Sequence, residues 1–228
     1  MMRRNIALIP AAGVGARFGA GKPKQYVEIN GKTVLQHTIE IFEQHSRIDL
    51  IAVILSPEDS VFQTALSEKV RVFRVGGASR AETVRNGVSI LLEQGLAEAQ
   101  DNILVHDAAR CCLPAEALTR LLDEAGENDE GGILAIPVAD TLKRADGSHH
   151  IDETVARAGL WQAQTPQLFQ TALLNRALSV DDLSEITDEA SAVEKLGIRP
   201  RLVQGDTRNL KLTLPQDEYI VRLLLKAV

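Results

Sequence analysis

Short apolar runs alternate along the chain with longer stretches in which apolar residues recur at helical spacing. Residues 6–10 (IALIP), 50–55 (LIAVIL), 70–75 and 103–106 are rich in β-branched residues and bounded by turn formers, which predicts buried strands. Between them, 33–45 places Val34, Leu35, Ile39 and Phe42 on one helical face, with Thr33 as N-cap, and 80–92 and 115–125 read the same way. Strand–helix alternation predicts an α/β domain with a largely parallel sheet. The pattern changes after an apolar run at 133–138. Residues 140–158 are polar, with a turn signal at Asp146-Gly147 and β-prone flanks, which predicts a hairpin projecting from the body. The α/β pattern then resumes, with helices expected at 170–179 and 188–196, strands at 201–203 and 209–213, and a closing helix at 216–227. No internal repeat is visible. A projecting hairpin exposes unpaired edges, and docking onto a second subunit would cover them; a mobile surface loop is the plainer alternative.

Composition narrows the function classes. A length of 228 residues with 45% hydrophobic and 25% charged residues is that of a globular chain, one large domain with an appendage or two small ones. The net charge of −6, without a basic block, disfavours long nucleic acid, whose binding depends on phosphate neutralisation. A small phosphorylated ligand needs only a local cluster of cations and stays open. Cys111 and Cys112 are adjacent, which disfavours a disulfide between them, and two cysteines make no zinc site. They read as small buried hydrophobes in a reducing compartment. The apolar stretch from Ile6 to Ala12 is followed at once by Gly and Arg, so it reads as an opening strand rather than a signal peptide. No run approaches the 18 or so apolar residues of a membrane span, and a cytoplasmic protein is expected.

The most informative segment is PAAGVGARFGAGKPKQ, residues 10–25. It follows the first strand and precedes a helical region. Small residues let the backbone approach a ligand, and successive N–H groups can line a concavity for anions. Two common templates fail. The dinucleotide fingerprint would need Gly where Phe18 stands, and the triphosphate loop would need Gly at Ala16 and Ser or Thr at Pro23. Instead the loop carries Arg17, Lys22 and Lys24, which suit a triphosphate whose charge shifts during reaction. By spacing alone, a glycine-rich turn with solvated cations is equally open.

The ordered series PAAGVGARFG, PKQY, GGASRAETVRNG, VHDAAR, PVADTLKR, LWQAQTPQ, ITDEASAVE and NLKLT resembles the 2-C-methyl-D-erythritol 4-phosphate cytidylyltransferases of non-mevalonate isoprenoid biosynthesis, from Ile9 to about Asp217. The resemblance implies a Rossmann-like α/β nucleotidyltransferase domain of the nucleotide-diphospho-sugar transferase type, with a mostly parallel twisted sheet. It implies one domain over 1–228, with 139–159 as a β-arm that mediates homodimerisation. The implied reaction joins CTP to methylerythritol phosphate, releases pyrophosphate and uses Mg²⁺ or another divalent cation. A phosphate monoester is already a competent nucleophile, so no catalytic Ser, Cys or general base is needed, and none is evident.

By motif match, Arg17 and Lys24 correspond to the family's transition-state stabilisers. Pro10, Ala11, Ala12, Gly13 and Gly15 correspond to its CTP cradle. Gly77, Ala78, Ser79 and Thr83 match the segment that reads cytosine and ribose; a Gly pair after a strand could also be only a turn. Asp107 follows a predicted strand end, where ligands bind in open α/β sheets. It is the candidate Mg²⁺ ligand, although a cap on the next helix is its bland reading, and with Ala108 it belongs to the CTP site. Arg110 resembles a substrate-phosphate contact. Thr141 and Arg157 match arm residues that reach the other subunit's acceptor site, and Thr165, Thr187 and Lys211 match further acceptor contacts. For Arg157 alone, a solvated hairpin charge would be the default, and His149 and His150 at the expected tip carry no role. The chain departs from the family at Cys111, where Pro is common, and at Thr207-Arg208, where an acidic residue is often found. A cytidylyltransferase for another polyol phosphate, such as ribitol 5-phosphate, and a non-catalytic CTP-binding regulator are the alternatives.

Overall fold

The computed structural model describes residues 3–13, 23–63 and 67–226. Strand β1 (Asn5–Pro10) opens the chain. A 3-10 turn at Lys24–Tyr26 leads to a small hairpin, β2 (Glu28–Ile29) and β3 (Lys32–Thr33). Its turn residues Asn30 and Gly31 have φ of 52° and 84°, the pair of positive angles for which Asn-Gly is the favoured dipeptide. Helix α1 (Val34–Gln44) starts from a capping box. The Thr33 hydroxyl accepts from the Gln36 N–H, and the Gln36 side chain accepts from the Thr33 N–H. Next come β4 (Leu50–Ile54), β5 (Val70–Phe73), α2 (Arg80–Glu93), β6 (Asn102–Val105), α3 (Ala115–Ala125) and β7 (Gly132–Pro137). The chain continues through β8 (Leu142–Ala145), β9 (Ile151–Val155) and β10 (Trp161–Gln170). It closes with α4 (Thr171–Leu178), α5 (Glu189–Glu194), β11 (Arg201–Gln204) and α6 (Asp217–Leu224).

Seven strands form one sheet in the order β11-β7-β10-β6-β1-β4-β5. All run the same way except β10, which is antiparallel to both its neighbours. Both faces are covered. Ala7 and Ile9 of β1 point into one apolar cluster, shared with Leu35 and Phe42 of α1 and Leu118 and Leu121 of α3. Ile6 and Leu8 point into the other, shared with Val84 and Val88 of α2 and Leu174 of α4. This double coverage is why the inner strands read as continuous apolar runs. A third cluster, with Ile29, Val34, Cys111, Cys112, Leu212 and Val221, anchors α6. Both cysteines are free and buried, as expected.

The expected strands and helices of the first half form within a few residues of their predicted ends. Two expectations near the end of the sheet need correction. No strand forms at 209–213; that segment lies alongside the sheet, tied by the Leu212 N–H to the Ala109 carbonyl at 2.9 Å. Strand β10 was not anticipated, because Pro166 interrupts it and its buried side chains include Gln164, Thr165 and Gln167. The hairpin expected at 140–158 is present as the separate two-stranded ribbon β8–β9, largely exposed, with Ile151 67% accessible.

His106, just past β6, is fully buried with its ring edge-on to Phe42. Its Nε2 lies 3.0 Å from the Arg110 carbonyl, which can only accept, so Nε2 carries the proton. Nδ1 then accepts from the Thr165 hydroxyl at 3.0 Å. Burial lowers the His106 pKa from 6.5 to about 4, against the opposing pull of the Arg110 carbonyl. Between those values the unfolded chain binds more protons than the folded one, so His106 removes stability as pH falls through that window. Glu189, whose carboxyl is raised by burial, contributes in the opposite sense. Comparison with a His106→Asn variant isolates the imidazole. The melting temperature of the unsubstituted protein should fall more steeply from pH 6.5 to pH 4 than that of the variant; equal slopes would refute a neutral buried ring.

Candidate active site

The strand order reverses between β1 and β6, and the loops leaving the carboxyl ends of these strands diverge there. This is where open α/β sheets form ligand crevices. A cleft of about 470 Å³ lies at this point, walled by segments that follow β1, β4, β5 and β6 and by Lys24 and Lys211.

From the β1 side, Pro10, Ala11, Ala12 and Gly13 line the cleft. The Gln25 amide donates to the carbonyls of Ala11 (3.0 Å) and Gly13 (2.9 Å), which pins this loop to the 3-10 turn carrying Lys24. Gly15 and Arg17 lie outside the described residues. The loop after β5 packs tightly against the first. A Cβ on Gly76 would come within 2.3 Å of the Ala12 Cβ and 2.8 Å of the Leu55 carbonyl, so only glycine lets the two loops touch. Gly77, Ala78, Ser79 and Thr83 line the opposite wall. Thr83 accepts from the Gly77 N–H at 3.1 Å, and Ser79 caps α2 by accepting from the Glu82 N–H at 3.1 Å. These bonds hold small residues and backbone groups against the cleft.

The floor is built on Asp107 and Ala108, after β6. Asp107 is buried, and its backbone N–H donates to the Thr165 hydroxyl at 3.0 Å. One carboxylate oxygen lies 2.9 Å from Arg80 Nε. The other lies 2.8 Å from Lys211 Nζ and 3.6 Å from Arg110 Nε. Burial alone would raise the Asp107 carboxyl, but Arg80, Lys211 and Arg110 outweigh it and hold it well below the usual carboxylate range. It is therefore ionised throughout the physiological range. Arg110 is fixed by donating to the Asn209 carbonyl at 2.6 Å, and the Asn209 amide donates to the Thr165 carbonyl at 2.7 Å. These bonds explain how residues from β6, β10 and the segment before α6 meet at one point.

Of the residues singled out by sequence, Lys24, Asp107 and Lys211 share the cleft, with Arg110 and Thr165 packed against Asp107. Thr187 is exposed and its hydroxyl bonds Ser191 at 3.4 Å, at the start of α5. Thr141 and Arg157 are exposed at the base of the β8–β9 ribbon and do not line this chain's own cleft. Sequence reasoning missed Gln25, Ser56, Arg80 and Ala109 among the lining residues, and Glu189 behind them. Arg80 grips Glu189 with two bonds, 2.7 and 3.0 Å, although the two are 109 positions apart. The helical pattern at 80–92 placed Arg80 at a helix start, but nothing local announced its partner.

Among the described residues no group of three or more His, Cys, Asp and Glu side chains gathers as a metal cage. The cleft offers one ionised carboxylate, Asp107, whose oxygens three cations already share. That donor set fits a hard divalent ion delivered by phosphates and still carrying waters, which needs only one or two carboxylates from the protein.

The family model of 2-C-methyl-D-erythritol 4-phosphate cytidylyltransferase (IspD) matches residues 5–227. The enzyme of that name from Neisseria meningitidis serogroup A, serotype 4A, is 71% identical with both chains fully covered. That from Chromobacterium violaceum is 50% identical over 97% of this chain and 98% of its own. A crystal structure of a 4-diphosphocytidyl-2C-methyl-D-erythritol synthase superposes with a TM-score of 0.89 at 64% identity, covering 99% of this chain and 100% of the other. The Francisella tularensis cytidylyltransferase superposes with a TM-score of 0.82 at 31% identity, covering 97% and 99%. A switch-point cleft lined by Lys24 and Lys211, a seven-stranded sheet with one reversed strand and these full-length likenesses agree: the chain belongs to the 2-C-methyl-D-erythritol 4-phosphate cytidylyltransferase family, and is a nucleotidyltransferase.

Proposed function

We propose that the chain transfers the CMP moiety of CTP to 2-C-methyl-D-erythritol 4-phosphate, giving 4-diphosphocytidyl-2-C-methyl-D-erythritol and pyrophosphate, a step towards isoprenoid precursors. The observation that carries this is the meeting of Lys24, Lys211 and the Arg80–Asp107–Arg110 cluster around one cleft at the switch point. Two anionic reactants must be brought together there, and the cations lining the cleft offset their repulsion. Pro10 to Gly13 and Gly77 to Ser79 form the nucleotide side, where backbone groups read the base and cradle phosphates. Arg110, Thr165, Thr187 and Lys211 form the acceptor side. An oxygen of the acceptor phosphate bonds to the α-phosphorus of CTP while the α–β bridge breaks, and pyrophosphate leaves with the electron pair. Lys24, with Arg17 from the same loop, stabilises the charge on the α-phosphoryl oxygens in that transition state. Lys211 orients the attacking phosphate in line. Asp107 would share a divalent ion, such as Mg²⁺, with the triphosphate; when bound, the ion supplies charge neutralisation to the leaving pyrophosphate.

Thr141 and Arg157 act on the acceptor of a second copy, the β8–β9 ribbon serving as the arm of a homodimer. Support comes from the ribbon's exposure in the single chain and from its small size, since an isolated two-stranded hairpin is marginal unless something packs on it. No helix among the described residues is long and apolar enough to cross a membrane, and the two free cysteines suit a reducing compartment, so we assign the enzyme to the cytoplasm.

Pyrophosphate release with CTP, Mg²⁺ and methylerythritol phosphate tests the activity. Release should greatly exceed that with ribitol 5-phosphate, and an equal or reversed preference would point to another polyol phosphate. Lys24→Ala should lower turnover by about a hundredfold to a thousandfold. Its melting temperature should move by no more than about 2 °C; a large loss of stability would make the residue structural instead. Mixing Lys24→Ala with Arg157→Ala subunits should restore about one quarter of full activity, because half of randomly paired dimers are mixed and each keeps one intact site. Mixed dimers with no activity would place Arg157 in its own subunit's site.

A further inference from the structure

Glu189 is a buried carboxylate, 1% exposed, with no place in the transfer steps above. Its two oxygens take the two terminal nitrogens of Arg80 at 2.7 and 3.0 Å. The third guanidinium nitrogen of Arg80, Nε, donates to Asp107 at 2.9 Å. Thus every nitrogen of this guanidinium is committed to a carboxylate before any ligand arrives. Arg80 is poorly suited to gripping phosphate, even though it borders the cleft. It is well suited to holding Asp107 in one orientation, because a guanidinium is planar and a bidentate partner fixes its plane. With one Asp107 oxygen so fixed, the other is the one that receives Lys211 and Arg110.

The placement along the chain strengthens the point. Arg80 is the first residue of α2, directly after the Gly77–Ser79 wall, whereas Glu189 opens α5, two residues after Thr187. Glu189 is itself anchored: Asp188 caps α5 by accepting from the Ser191 N–H at 2.9 Å, and Gln167 of β10 accepts from the Ala190 N–H at 2.8 Å. One rigid chain of charge therefore runs from α5 through α2 to the floor of the cleft and ends on the ammonium that faces the acceptor.

Resting on the cytidylyl-transfer reading above, we propose that Glu189 and Arg80 are positioning residues that act through Asp107 to hold Lys211 at the acceptor side of the cleft. A purely structural pair would behave differently. Replacing a buried ion pair by apolar side chains of similar size often leaves stability unchanged or improves it, whereas removing one partner strands a buried charge. The double variant Arg80→Met with Glu189→Met separates the two roles, and Glu189→Gln, which keeps the shape and one acceptor, provides a second measurement. For each, melting temperature, CTP affinity in the absence of acceptor, and kcat and KM for methylerythritol phosphate are measured beside the unsubstituted enzyme.

The expected result is that kcat/KM for the acceptor falls by about tenfold to a hundredfold in a folded variant, as a displaced substrate-orienting group requires. CTP affinity, measured without divalent ion so that the share of Asp107 in holding that ion does not enter, should change by less than about threefold, which is under 1 kcal/mol. Acceptor kinetics that stay unchanged in Glu189→Gln, or that are restored in a stable double variant, would overturn the proposal and leave the pair a structural clamp. Equal losses in CTP affinity and acceptor kinetics would also overturn it, since they signal a general collapse of the cleft. Should the unsubstituted enzyme itself release no pyrophosphate, the assigned reaction fails, and that outcome is distinct from active enzyme with indifferent variants.

Discussion

A single ionised carboxylate, Asp107, sits almost without water beneath the cleft, and the local structure is arranged to keep it charged. A buried carboxylate without partners would take up a proton. Here Arg80 approaches one oxygen while Lys211 and Arg110 approach the other. Each of these cations belongs to a different part of the chain: the start of α2, the turn after β6, and the irregular segment before α6. The charge therefore fastens together three segments, two of which, the turn after β6 and the segment before α6, also share an apolar cluster. It also explains how a chain with net charge −6 keeps a locally cationic cleft. Two acidic groups, Asp107 and Glu189, are spent on organising the cations around them.

Around this fastening, neutral hydrogen bonds give the cleft its shape. His106, held uncharged by burial, bridges the Arg110 carbonyl and the Thr165 hydroxyl, and Thr165 in turn receives the Asp107 N–H. Asn209 ties the same carbonyl network to the segment bearing Lys211. Around the loops after β1 and β5 the arrangement rests on close backbone approach instead: Gly76 against Ala12, and Gln25 gripping two loop carbonyls. One wall is thus stiffened by charge and polar side chains, the other by the absence of side chains. That division suits a reaction in which the base must be read closely and the second reactant must be held by its charge.

The sheet and its helices were largely legible in the sequence because strands covered on both faces are continuous apolar runs, and because Thr33 announces a helix start through its own side chain. Strand β10 was hidden: its buried positions include Gln164, Thr165 and Gln167, satisfied by distant partners, so the apolar alternation that marks a strand is missing. The strand expected at 209–213 fails for the opposite reason. Leu210 and Leu212 alternate correctly but bury themselves in the cluster under α6 instead of joining the sheet. In the candidate site, motif residues that end up on loops near strand termini could be picked out one by one. Arg80, Glu189 and Gln25 could not, because each owes its position to a partner that only folding brings near.

The reversed direction of β10 also decides where the ribbon can grow. Because Trp161 pairs with Pro137, the chain leaves β7 and re-enters the sheet along the same rim, the one that carries the cleft. Had this strand run parallel to its neighbours, the connection would have had to travel back across a face of the sheet, as the helical crossovers do. An antiparallel return leaves the excursion tethered to its own sheet at two adjacent points. A longer or shorter tip would therefore leave the pairing of the central sheet unchanged.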